Sequence, residues 1–306
     1  MITESTLEKL LDDGKFVVTS ELGPPQSASG AAIRKKTRHF KDIVDAVNIT
    51  DNQTAIVRMS SIATGAILLG EGLEPVMQMT CRDRNRIAIQ SDILGAAALG
   101  IKNILCLSGD HQKFGNHPGA KNVYDVDSIQ LLSIVKNMRD EAKFCSGDEI
   151  KTPPKMFIGA AANPFADPFE FRVIRLAKKV AAGANFIQTQ AVFDIPRLRE
   201  YMQAVCDSGL DQKTAILAGI IPVRSVRALS YMKNQVAGMM IPDELITRMD
   251  QAEEPKEEGI KVALELIAQI KEIPGIRGIH LMPVTWESSV PIVCEQAGFL
   301  PRPSLS

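Results

Sequence analysis

Asn103-Ile104-Leu105-Cys106-Leu107-Ser108-Gly109-Asp110 holds more architectural information than any other stretch of this chain. Its apolar half reads as a buried strand. Its polar end opens a loop, His111 to Val123, rich in Gly, His, Asn and Lys. A carboxylate at the C-terminal lip of a buried strand, with a long loop behind it, is where open α/β sheets and α/β barrels keep their chemistry. Gly-Asp is also ordinary turn chemistry. The loop sharpens the choice, because loops beyond about 12 residues are usually functional or disordered.

Seven further β-rich runs flank this one. They are Lys15–Glu21, Val44–Thr50, Pro75–Thr80, Lys155–Ala161, Asn185–Gln190, a segment within Thr214–Pro222, and Gly278–Met282. Helical patterns separate them. Ile87, Leu94, Ala97 and Ala98 suggest one apolar face, and Ile260, Leu264, Ile267 and Ile270 another. Asp127-Ser128 is suited to cap the helix carrying Ile129, Leu132 and Val135. A last helix is expected near Ser289 to Ala297. Eight strands in βα alternation predict an α/β protein, a single (β/α)8 TIM barrel over residues 1–306 with a helical lead-in at 1–13. A doubly wound sheet is the alternative. No Gly-x-Gly-x-x-Gly follows the first strand and no Walker loop occurs, so neither a Rossmann dinucleotide site nor a P-loop is expected.

Composition narrows the function classes. Apolar residues make up 45% of 306, enough for a large core, but aromatics only 5%, so aliphatic side chains and Met must fill it. The net charge of −1 provides no global field for nucleic acid or membrane surfaces. There is no apolar run of membrane-spanning length and no signal-peptide pattern, so a cytoplasmic protein without a membrane segment is expected. Cys81, Cys106, Cys145, Cys206 and Cys294 are scattered, form no C-x-x-C, and read as reduced core residues.

On a barrel the strand C-termini converge on one face. That face would gather Glu21, Thr50-Asp51-Asn52, Gln78 with Thr80-Cys81-Arg82-Asp83, Ser108-Gly109-Asp110, Asn163, Gln188 and Gln190. Two neighbouring carboxyls, Glu21 and Asp110, can have their pKa values pushed apart, one serving as acid and the other as charged stabiliser. The amides and hydroxyls suit a heteroaromatic ligand rich in donors and acceptors. Glu21 could equally cap a loop, and Gln190 could be a satisfied buried amide. His111 and His117 lack companion ligands, so no metal site is expected. His39, placed on a helix, and His280, on a strand, read as structural. Lys178-Lys179 close a helix, where they complement its dipole or meet a phosphate.

Five segments in register resemble the methylenetetrahydrofolate reductase family. They are Ser20-Glu21-Leu22-Gly23-Pro24-Pro25, Met79-Thr80-Cys81, Leu107-Ser108-Gly109-Asp110, Ala182 to Gln190 with Phe193-Asp194, and Gly219-Ile220-Ile221-Pro222-Val223. The resemblance spans roughly residues 14 to 298. It implies a flavin-bearing (β/α)8 barrel, with FMN or FAD, that reduces 5,10-methylenetetrahydrofolate to 5-methyltetrahydrofolate. Glu21 then matches the general acid. Asp110 matches a carboxylate serving both flavin and folate, and Gln190 a folate-contacting amide. Thr50, Gln78, Ser108, Gly109, Tyr124, Ala160 and Lys179 match cofactor-contacting positions.

Departures from the family pattern are informative too. Ser108 stands where many members carry Arg, Gln78 where a His is common, Val226 where an aromatic stacks on nicotinamide nucleotide or folate, and Trp286 where some carry Arg. These changes resemble short reductases of acetogenic and one-carbon-metabolising anaerobes (the Wood-Ljungdahl pathway). There, electrons reach the flavin from a metal- or Fe-S-carrying partner, which leaves direct use of NAD(P)H open. The competing readings are a pterin-binding methyltransferase-like barrel and an inactive flavin or scaffold subunit of an electron-transfer complex.

Overall fold

The computed structural model describes residues 2–236 and 238–303. Eight parallel strands close into a barrel in sequence order: β1 (Val17–Leu22), β2 (Ala46–Ile49), β3 (Pro75–Thr80), β4 (Asn103–Leu107), β5 (Phe157–Ala162), β6 (Phe186–Ala191), β7 (Ala215–Ile220) and β8 (Ile276–Leu281), with β8 returning to pair with β1. Around them run α1 (Thr6–Asp12), α2 (Gly30–Thr37), α3 (Ser61–Gly70), α4 (Arg86–Ala98), α5 (Ser128–Asp140), α6 (Glu170–Ala181), α7 (Ile195–Asp207), α8 (Val226–Gln235), α9 (Asp243–Asp250), α10 (Pro255–Lys271) and α11 (Ser289–Gln296). Every predicted strand is present, shifted by no more than a few residues. Asp127 caps α5 in a full capping box, its carboxylate accepting from the Ile129 and Gln130 amides.

Alternation along the strands sorts the core into two layers. Outward residues such as Val47, Ile49, Ile104, Ile158 and Ile187 pack under the helices. Inward residues Val17, Ala46, Val76, Leu105, Phe157, Phe186 and Leu217 fill the lower lumen, and Leu7, Leu10 and Leu11 of α1 plug it from below. Gly159 makes room there: a Cβ would lie 2.2 Å from the Phe186 ring. Arg302 clamps the same end through Asp45, with Nε–Oδ1 3.0 Å and Nη2–Oδ2 2.5 Å, while Asp45 also accepts from the Val18 amide.

Three expectations change. The buried face of α4 is Ile89, Ile93 and Ala96, and Ile87 is 74% exposed, because α4 is apolar on more than one side and barrel packing picks the face. Cys81, Cys106 and Cys294 are buried thiols, but Cys145 is exposed and Cys206 half-exposed. His39 lies just beyond α2 rather than on it. No helix among the described residues is long and apolar enough to cross a membrane.

Candidate active site

Above the apolar plug the lumen turns polar. Asn48 and Gln188 exchange amide hydrogen bonds across the barrel, Nδ2–Oε1 2.6 Å and Nε2–Oδ1 3.0 Å. Gln188 Nε2 also donates to Thr19 Oγ1 at 3.2 Å, and Thr19 Oγ1 lies 2.9 Å from His280 Nδ1. All four side chains are buried. Burial without a carboxylate partner pushes the His280 pKa down to about 3, so its imidazole is neutral. This layer forms the floor of a cavity of about 380 Å³ lined by Glu21, Gln78, Gln190 and His280, with Arg172, Arg175 and Lys179 along one wall.

Glu21 stands on that floor. Desolvation pushes its pKa up to about 7, and the hydrogen bond from Gln78 Nε2, at 3.2 Å, pulls the other way. The result is a carboxyl poised near neutrality, as a proton donor requires. Gln78 can serve both ionisation states: its N–H₂ donates to the carboxylate, and its carbonyl can accept from the acid after an amide flip. Gln190 reaches the same space as the next lumen-facing residue after Phe186 and Gln188, beside an irregularity in β6. Pairing runs Gln188↔Leu217 and then Ala191↔Gly219, so β6 holds one residue more than β7 there. Bulges of this kind are common beside active sites.

A second, outer cavity of about 620 Å³ shares Glu21, Gln190 and Met282 with the first and adds Asp110. It is walled by Ile221, Val223, Met232 and Met239, with Arg224 and Arg227 among its lining. Asp110 is exposed, but its backbone is pinned. Buried Arg82 donates to the Asp110 and Asn52 carbonyls, each at 3.2 Å, and pairs with Asp83. Gly109 makes this turn possible. Its φ is +87°, and a Cβ would sit 2.9 Å from Thr80 Cβ. Tyr124 Oη donates to the Gly109 carbonyl at 3.1 Å.

The barrel thus gathers Glu21, Gln78, Lys179 and Gln190 on the deep cavity, and Glu21, Gln190 and Asp110 on the outer one. Ser108, Gly109 and Tyr124 form the loop behind Asp110 and do not line either cavity. Thr50, the residue after β2, has a buried hydroxyl with no hydrogen-bond partner among the described residues. Ala160 packs outward in the core under the helices, and its neighbours Ala161 and Ala162 line the cavity instead. Sequence reasoning missed Arg172 and Arg175. They fall seven and four residues before Lys179 in an α6 that reads as an ordinary surface helix, so spacing from that lysine was the available signal.

Buried Lys179 donates to the Ala161 carbonyl, leaving further ammonium hydrogens free. Desolvation, then the neighbouring Arg175 charge, push its pKa down to about 8. With Arg172 and Arg175 it makes a positive wall suited to a phosphate. Among the described residues, no group of three His, Cys, Asp or Glu side chains is arranged to hold a metal.

A closed parallel barrel whose C-terminal face holds a carboxyl with a raised pKa, a pinned aspartate and a cationic wall defines a TIM-barrel protein with its candidate site at the strand C-termini. Residues 6–298 match the family model for methylenetetrahydrofolate reductase, and the chain belongs to that family. Similar proteins include a probable methylenetetrahydrofolate reductase (NADPH) of Caenorhabditis elegans, 21% identical over 95% of this chain and 44% of the relative. The 5,10-methylenetetrahydrofolate reductase of Escherichia coli is 23% identical over 75% of this chain and 72% of its own. The chain thus spans less than half the length of the worm relative. A solved Clostridium thermocellum protein, described as binding two copies of 5-methyl-5,6,7,8-tetrahydrofolic acid, shares the fold with a TM-score of 0.67 at 13% identity, covering 96% of this chain and 99% of that one.

Proposed function

We propose that this chain reduces 5,10-methylenetetrahydrofolate to 5-methyltetrahydrofolate with a bound flavin. The observation that carries the reading is Glu21, a carboxyl with a pKa of about 7 at the junction of two cavities. The family and a like-folded methyltetrahydrofolate binder support the substrate class. The cationic wall of Arg172, Arg175 and Lys179 fits the phosphate end of a flavin, and the unpartnered Thr50 hydroxyl offers a further polar contact. Gln78 and the Ser108-Gly109-Asp110 turn with Tyr124 belong to the set the family resemblance assigns to the cofactor, from which outward-facing Ala160 drops out. A flavin bound there would supply the hydride.

The remaining steps belong to the chain's own residues. Glu21 gives its proton to the folate nitrogen whose bond to the methylene carbon breaks, leaving an iminium ion on the substrate. That carbon accepts hydride, so one proton and one hydride account for the product. Gln78 holds the Glu21 carboxylate that remains. Asp110 and Gln190 orient the folate ring, and His280, neutral beneath them, adds no competing proton. In this reading a metal- or Fe-S-carrying partner subunit recharges the flavin, as the departure at Val226 suggests; brisk NADH-driven turnover by the isolated chain would contradict that part. The purified chain should be yellow, release FMN or FAD identifiable by mass, and, once photoreduced, be reoxidised by methylenetetrahydrofolate. A colourless chain that binds methyltetrahydrofolate would overturn the redox assignment.

A further inference from the structure

His280 differs from the other histidines of this chain. His39 is half-exposed, and His111 and His117 are exposed. His280 is 3% exposed, sits on β8 and belongs to the polar layer under the deep cavity. One side of its ring is fixed by the layer itself. Gln188 Nε2, which can only donate, lies 3.3 Å from His280 Nδ1, and the Thr19 hydroxyl lies 2.9 Å away. A proton on Nδ1 would point at the Gln188 amide hydrogens. It would also leave the Thr19 hydroxyl only the Ile279 carbonyl, at a long 3.4 Å. With Nδ1 accepting, the single proton of the neutral imidazole sits on Nε2. Nε2 has no hydrogen-bond partner among the described residues, and it is not one of the buried unpartnered atoms closed off from solvent. Because His280 lines the deep cavity, that N–H opens into it.

We infer that His280 is a ligand-binding residue, held by Thr19 and Gln188 in the tautomer that presents Nε2–H to an acceptor atom on the edge of a fused heteroaromatic ring in the deep cavity. The assignment rests on the flavin and folate reading above and deepens it. Flavin and pterin rings both carry carbonyl oxygens and unprotonated ring nitrogens along their edges, so both have the acceptor this donor needs. Gln78 and Gln190 also line the cavity, but an amide can turn over and offer either its oxygen or its nitrogen. His280 cannot change its offer without losing the contacts at Nδ1. It is therefore the fixed donor of the floor and orients the ring rather than adapting to it. It also donates without carrying charge. A cation in its place would favour the ionised form of Glu21 and work against a proton donor there. Asn48 supports the arrangement one step back, because its pair of hydrogen bonds with Gln188 aims the Gln188 amide nitrogen at Thr19 and His280.

NMR of the full chain carrying ¹⁵N-labelled histidine reads the tautomer directly. One imidazole should show the Nε2–H pattern and stay neutral from about pH 5 to 9, where surface imidazoles titrate; its loss in His280→Asn assigns it. FMN, FAD and 5-methyltetrahydrofolate are then added to separate flavin-free samples. The ligand held by the donor should shift the Nε2 proton downfield and slow its exchange with solvent. A response to a flavin puts the acceptor on the cofactor, and a response to the folate alone puts it on the substrate. In titration calorimetry His280→Asn should weaken that ligand about 10-fold, the scale of one hydrogen bond. His280→Gln should recover most of the loss, because a Gln amide nitrogen reaches where Nε2 lies and an Asn amide only where Nδ1 lies. A purely structural histidine gives the opposite order, since Asn keeps the Thr19 contact and Gln does not. An Nδ1–H tautomer, an Nε2 proton unmoved by every ligand that binds, or an Asn variant that binds as tightly as wild type overturns the assignment. The wild-type spectra decide the matter even where a substitution at this buried position unfolds the chain. If none of the three ligands binds, the flavin and folate reading falls and takes the assignment with it, an outcome distinct from binding that leaves Nε2 unmoved.

Discussion

The two ends of this barrel are built on opposite principles. At the N-terminal end the lumen is filled and the charges are paired: α1 fills it with leucines, Arg302 and Asp45 form a bidentate pair, and Arg277 donates to the Leu11 carbonyl. At the C-terminal end several groups are left wanting. Among the described residues, Thr50 keeps a buried hydroxyl unpartnered, Arg175, Arg224 and Arg227 line the cavities as exposed cations, and Glu21 is held where ionising costs free energy. The first end stabilises the fold, and the second keeps its polar groups free for ligands. The polar layer of Thr19, Asn48, Gln188 and His280 lies between them, closed to the plug below and open to the cavity above.

That contrast is breakable. The largest stability effect should come from the closed end. Arg302→Ala leaves Asp45 buried and unpaired, and should cost ~3–5 kcal/mol of stability in denaturant titrations while leaving ligand affinities near wild type in the folded fraction. At the open end the largest effect should be on rate. Glu21→Gln should slow folate reduction by ~10²-fold or more, the usual scale for a general acid.

The same substitution should help the fold. Folding raises the Glu21 pKa from 4.5 to about 7, so the wild-type chain loses stability as pH climbs through that window. The glutamine variant has no such loss. It should be more stable than wild type by ~1–3 kcal/mol at pH 8, with the gap closing near pH 4.5, as thermal denaturation of the ligand-free chain can record. A variant less stable than wild type at pH 8 would mean that the open end is not strained by Glu21. The smallest effect concerns Gln78. Gln78→Leu removes the one side-chain hydrogen bond to the Glu21 carboxyl among the described residues, and should move the pH profile of folate reduction upward by about one unit, whereas Gln78→Asn should restore part of the shift.

Much of the architecture was legible because strand-forming runs and their polar ends recur eight times, and strand C-termini on a barrel must converge. That argument placed Glu21, Asp110 and Gln190 together before any coordinates. Other features depend on closure. Positions 19, 48, 188 and 280 become one network only when β8 meets β1 and the lumen narrows, which no local pattern encodes. The buried face of α4 was misread for a related reason: a helix apolar on several sides leaves the choice to its neighbours. Arg224 and Arg227 were invisible because an arginine at a helix start looks the same in sequence whether it lines a cavity or faces only solvent. Ala160 marks the limit of matching by position, since its side chain lies under the helices while Ala161 faces the cavity.

The central claim is that Glu21 gives the proton that opens the folate ring. Rapid mixing of flavin-loaded wild-type chain and Glu21→Gln separates the two half-reactions. The account predicts that both are reduced at similar rates by dithionite or a low-potential donor, and that only the wild type is then reoxidised quickly by methylenetetrahydrofolate, in a step that slows as pH rises past about 7. Equal reoxidation rates for the two proteins, or a rate independent of pH across that range, would contradict it.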